Sequence, residues 1–138
     1  MPHIADLFGC GLKTEYRRID IVLTVQPVPK SKHDPDFKIA AAIEHENNFG
    51  GSRSEIEKLR ALNAPLGVLI TYASTHQRQR MLNQYIEAIA SHAPKDTDTM
   101  TGELLVIFGP YGMIPPENLT WEYFVYREGE FSRVSIID

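Results

Sequence analysis

The chain has 138 residues, 43% hydrophobic and 23% charged, the size and balance of one globular domain (residues 1–138) with an ordinary core. Its formal net charge of −4 argues against autonomous, tight nucleic-acid binding through a broad basic patch, but leaves room for a local basic patch at a site or for a basic partner subunit. The single cysteine, Cys10, excludes an internal disulfide, no Cys/His cluster has zinc spacing, no apolar run approaches a membrane span and no signal-peptide pattern opens the chain, so a cytoplasmic protein without a membrane partner is expected.

Residues 4–8 read as a short helix ended by Gly9 and Gly11. A strand rich in β-branched residues is expected over 17–28, then a loop from Pro27 through the polar stretch 30–36. A second strand covers 37–46, with Ile39 to Ile43 a continuous apolar run suited to burial on both faces. A loop with Gly50-Gly51 leads into a helix over 53–63. Ser52 and Glu55 have capping-box spacing there, and Ile56, Leu59 and Leu62 form its apolar stripe. Residues 66–72 form another buried strand. Ser74 and Gln77 cap a second helix over 75–92, with Met81, Leu82, Tyr85, Ile86 and Ile89 facing inward. After a polar loop at 93–102 comes an apolar strand at 104–108. Two alternating segments, 121–126 and 131–136, flank Glu128-Gly129 as a hairpin. The order predicts an α/β domain, a three-layer sandwich whose central mixed sheet lies between helices, with a parallel right-handed crossover across 37–72.

The chemistry gathers at the end of the second strand. Glu44 and Glu46 are two residues apart, so both leave the same face of the sheet, while His45 points to the other. Paired carboxylates on a half-buried surface repel unless a cation or water neutralises them. Asp20 lies in the apolar run Arg18-Ile19-Asp20-Ile21-Val22-Leu23. If the two strands are neighbours, three oxygen donors converge, the setting in which magnesium or manganese binds through a few carboxylates and several waters.

This order of features resembles the PD-(D/E)xK nuclease superfamily, whose fold is restriction-endonuclease-like. Asp20 matches the family's Asp at the start of a core strand, and Glu44 matches the second acidic position on the next strand. The helix and buried strand that follow fit the rest of the core, and Glu15 lies where many members carry an extra acidic residue. The likeness covers roughly the first half of the chain. The family's lysine position is held by Glu46. Related nucleases carry Glu or Gln there or draw a lysine from the following helix, for which Lys58 is the candidate.

The resemblance implies a metal-dependent phosphodiesterase acting on nucleic acid, with catalytic residues Asp20, Glu44, Glu46 and Lys58. Asp20 and Glu44 would hold Mg²⁺ or Mn²⁺, Glu46 would extend the metal site or orient water, and Lys58 would stabilise developing charge. Arg17, Arg18, Arg53 and Arg60 are candidates to meet a phosphate backbone, whereas Arg78 and Arg80 read as a solvated helix face. Tyr111, Trp121, Tyr123 and Tyr126 suit base stacking, core packing or a dimer surface. Gly50-Gly51, lacking a phosphate-loop pattern, and Asn47-Asn48 read as a turn. Two other functions compete: a non-catalytic nuclease-like module that binds a protein partner or nucleic acid, and a structural dimerisation domain whose carboxylates face solvent. A small acidic nuclease domain without an added recognition domain suggests a homodimer or a larger complex.

Overall fold

The computed structural model describes residues 11–16, 18–25, 38–91, 102–111 and 121–135. Its strands form one seven-stranded mixed sheet in sequence order. They are β1 (Gly11–Tyr16), β2 (Ile19–Thr24), β3 (Ile39–Glu46), β4 (Leu66–Tyr72), β5 (Glu103–Gly109), β6 (Glu122–Arg127) and β7 (Glu130–Val134). β3, β4 and β5 run parallel, and the remaining pairs are antiparallel. Helix α1 (Ser52–Leu62) joins β3 to β4, and α2 (Thr75–Ser91) joins β4 to β5.

The expected strands at 37–46, 66–72 and 104–108 are present, as are both long helices. The strand expected from 17 is shorter and forms the second arm of a hairpin whose first arm, β1, the sequence pattern did not reveal. Arg18 turns that hairpin with φ 67°. The short helix expected at 4–8 lies outside the described residues. At the far edge, Arg127 pairs with Glu130 around Glu128 (φ 52°) and Gly129 (φ 87°), the positive pair a two-residue hairpin loop requires.

Both helices lie on one face. A Cβ on Gly67 would meet Leu59 Cβ of α1 at 3.6 Å, and Tyr85 of α2 stacks on Phe108, with ring centroids 6.4 Å apart. Gly67 pairs with Leu104 and Thr71 with Phe108, so Gly67 and Phe108 share a face. Two successive parallel crossovers in one direction, of the usual hand, require this. The described residues thus form two layers where three were expected. Val22, Ala42, Leu69, Val106 and Phe108 from the sheet meet Ile56, Leu59, Leu82, Tyr85 and Ala88 from the helices, all at most 2% exposed. The other face carries Ile21, Ile43, Ile70 and Ile107, each half-buried. No described helix is long and apolar enough to cross a membrane.

The cap of α1 differs from expectation. Its N-cap is Gly51, already near-helical at φ −89° and ψ −9°, reached through a 3₁₀ turn at Phe49–Gly51, and no side chain caps it. Ser52 is buried and accepts a hydrogen bond from the Tyr85 hydroxyl at 2.6 Å. A residue already in the helical turn cannot take the extended N-cap conformation, so Glu55 is left without its capping role. At α2 one arm of the expected cap forms, Ser74 N donating to Gln77 Oε1 at 3.4 Å, while Ser74 Oγ lies 3.5 Å from His76 Nε2.

Candidate active site

Asp20 and Glu44 meet where the β2–β3 ladder ends. Backbone pairing reaches Ile21 and Ile43. Beyond it, side chains replace the ladder: Asp20 N donates to Glu44 Oε2 at 3.4 Å, and His45 N donates to Asp20 Oδ2 at 2.9 Å. Glu44 faces the helix layer and is 1% exposed.

α1 brings a cation to this pair. Lys58 Nζ lies 3.0 Å from Glu44 Oε1 and 2.6 Å from Glu55 Oε2, and donates to the Arg18 carbonyl at 3.0 Å. The approach to Glu44 Oε1 is close but not aligned as a hydrogen bond, so that buried oxygen has no properly directed donor. Glu55 and Lys58 stand three residues apart on one face of α1. An open groove of about 430 Å³ lined by Arg18, Ser54, Glu55, Glu57, Lys58 and Ala61 runs beside the ammonium.

Burial pushes the Glu44 carboxyl up to about 8, helped by the Asp20 and Glu55 carboxylates and opposed by Lys58. Burial also works against the Lys58 ammonium, but Glu55 and Glu44 outweigh it and raise its pKa. Burial and the Lys58 ammonium thus act in opposite senses on the Glu44 carboxyl.

Glu46 is engaged elsewhere. Its Oε1 accepts from Asn48 N at 2.7 Å, and its Oε2 would lie 3.0 Å from a Cβ on Gly51. It braces the turn into α1. Asn48 completes that turn, accepting from Gly50 N through Oδ1 and from Gly51 N through its carbonyl, both at 3.0 Å. The structure thus joins Asp20, Glu44 and Lys58, and gives Glu46 a backbone partner beyond them. Glu55 is the residue sequence reasoning missed. Its only signal was the three-residue spacing to Lys58, hidden by an equally valid capping-box spacing to Ser52. Among the described residues, no group of three or more His, Cys, Asp or Glu side chains is arranged to hold a metal ion.

Two arginines correct the sequence reading. Arg60 is 8% exposed, donates to the Gly102 carbonyl at 3.1 Å and lies over the Tyr126 ring, so it faces the core rather than a phosphate. Arg78, expected on a solvated face, is 2% exposed. It donates to the carbonyls of Ala73 and Gly109 at 3.0 Å and to Glu122 Oε1 at 2.7 Å. The first turn of α2 faces the strand ends, whose carbonyls take these donors. Arg80 is exposed as expected. Arg53 pairs with Glu57 and Glu87. The side chain of Glu15 and the whole of Arg17 and Cys10 lie outside what is described.

His45 lies on the face opposite Glu44, as its position in the strand predicts; it is exposed rather than packed, and its Nε2 lies 3.0 Å from the Tyr72 hydroxyl. His45, Ile70, Tyr72, Ile107, Trp121 and Tyr123 line a shallow cleft there. Neither a protein-family model nor a curated protein matches the chain.

Proposed function

We propose that this chain is a metal-dependent, nuclease-like protein that hydrolyses phosphodiester bonds of nucleic acid on a restriction-endonuclease-like core. One observation carries the reading: the buried Glu44 carboxylate of β3 is met by the backbone N of Asp20 on β2, at 3.4 Å, and by the Lys58 ammonium of α1, at 3.0 Å. These are three of the four residues to which the sequence resemblance gave roles, including a lysine supplied by the following helix; the fourth, Glu46, holds the turn instead. Glu44 fits a cation's demands, being a buried carboxylate with an oxygen that lacks a directed donor. Asp20 and Glu44 would hold Mg²⁺ or Mn²⁺, with water and a phosphate oxygen filling the remaining positions. The ion would supply Lewis-acid polarisation and a water of lowered pKa. His45 N fixes the Asp20 carboxylate, and Lys58 would offer positive charge to a phosphate bound beside the pair.

A second reading keeps the fold without catalysis, as a module binding nucleic acid or a protein. It is favoured by Glu46, which stands at the family's lysine position and holds a turn. Cleavage of single- and double-stranded DNA and RNA with Mg²⁺ or Mn²⁺ separates the two. The nuclease reading expects cleavage that Asp20→Ala and Glu44→Ala lower by at least about a hundredfold, since each loses part of the metal site. Cleavage unchanged in both variants, or absent from wild type with every substrate, defeats it.

A further inference from the structure

The ammonium of Lys58 stands against the oxygen that a divalent cation would use. Nζ is 3.0 Å from Glu44 Oε1. A magnesium ion binds carboxylate oxygen at about 2.1 Å, so on this oxygen the two cations could be no more than about 5 Å apart. Glu44 is 1% exposed, so little water reaches the oxygen to screen them.

Lys58 is also held from outside the pair. Its shortest contact is Glu55 Oε2 at 2.6 Å, and the Arg18 carbonyl takes another of its donors at 3.0 Å. Neither Glu55 nor Arg18 is in the Asp20–Glu44 pair. Losing Glu44 leaves two of these three contacts in place. The ammonium would move to the rim of the groove between Arg18 and Glu55 rather than leave the site.

We propose that Lys58 is the site's resident cation, displaced from Glu44 when a divalent ion binds and retained beside it by Glu55 and the Arg18 carbonyl. This rests on the reading of Asp20 and Glu44 as the metal-holding pair. It adds that metal and the Lys58–Glu44 contact exclude each other, and that Glu55 is a positioning residue acting through Lys58.

The test is Mn²⁺ affinity, by calorimetry and electron paramagnetic resonance, of wild type, Lys58→Met and Lys58→Arg. Removing the competing charge should tighten binding by at least about tenfold, while the charge-retaining arginine should leave affinity near wild type. Equal or weaker binding by Lys58→Met overturns the proposal. Lys58→Met leaves its carboxylates without their counter-charge, so a second measurement uses wild type. In lysine-labelled protein, the Lys58 ammonium resonance should be protected from water exchange without metal and should lose that protection as Mg²⁺ is added. Protection kept in Mg²⁺-saturated protein overturns the proposal, as does the absence of Mn²⁺ uptake by every folded variant. Cleavage assayed on the same samples separates the two readings. A cleaving wild type whose Lys58→Met variant binds no more tightly defeats the displacement and spares the nuclease. A tighter-binding variant beside a wild type that never cleaves does the reverse.

Discussion

Glu44 is a carboxyl whose chemistry is changed by its surroundings. Its carboxyl is pushed up from 4.5 to about 8 by burial and by neighbouring carboxylates. The folded protein therefore binds a proton that the unfolded chain releases between those values. The sign follows: stability from this group is fully present below pH 4.5, declines as pH rises and is lost above about 8. The slope is at most about 1.4 kcal/mol per pH unit. Lys58, whose pKa is raised, contributes below its unfolded value of 10.5 and does not alter the slope in this window. Urea denaturation should show wild type losing stability between pH 6 and 8.5, with Glu44→Gln much flatter and the more stable of the two at the upper end. Parallel curves for the two proteins would show that Glu44 is ionised throughout and that Lys58 outweighs burial.

At the scale of an element, the site depends on how α1 enters. Glu46 accepts from Asn48 N, Asn48 Oδ1 accepts from Gly50 N, and Ser54 Oγ donates to the Gly51 carbonyl at 2.8 Å. These bonds set the start of the helix that carries Glu55 and Lys58. Glu46→Ala should cost about 1 kcal/mol of stability through one lost charge-assisted bond. It should leave Mn²⁺ affinity within about threefold, far from the loss a removed ligand causes. A large loss of Mn²⁺ affinity in a folded Glu46→Ala protein would instead put its carboxylate on the ion. The sequence carried the helix itself through the stripe of Ile56, Leu59 and Leu62. Its cap was not legible, because Ser52 and Glu55 satisfy a local rule that the buried Tyr85 hydroxyl and the Lys58 ammonium override. Both competing partners come from the fold or from a different local pairing.

Across the whole molecule, what was legible is what burial alone determines. The runs 39–43, 66–72 and 104–108 are apolar because the sheet interior requires it, and they fixed three strands. Asp20 and Glu44 stood out as charges in such runs. β1 did not, because an edge strand owes its conformation to its partner β2 rather than to its own pattern. Arg78 was misread for a related reason: its partners lie at the ends of β4 and β5 and on β6, places that come together only in the folded chain. It joins the Ala73 and Gly109 carbonyls to the Glu122 carboxylate, and its guanidinium sits 5.7 Å over the Phe108 ring. Arg133 also reaches Glu122, at 3.4 Å, but from an exposed position. The two arginines therefore offer a paired comparison on one carboxylate. Arg133→Ala should cost less than about 1 kcal/mol, as exposed pairs do. Arg78→Met should cost about 3 kcal/mol, because it removes three hydrogen bonds at once, to the Ala73 and Gly109 carbonyls and to Glu122 Oε1, in a buried place. In thermal unfolding that difference amounts to a fall of roughly 10 °C for a chain of this size. Equal effects for the two variants would mean that β4, β5 and β6 are held together by apolar packing alone, with Arg78 only filling the space at their ends.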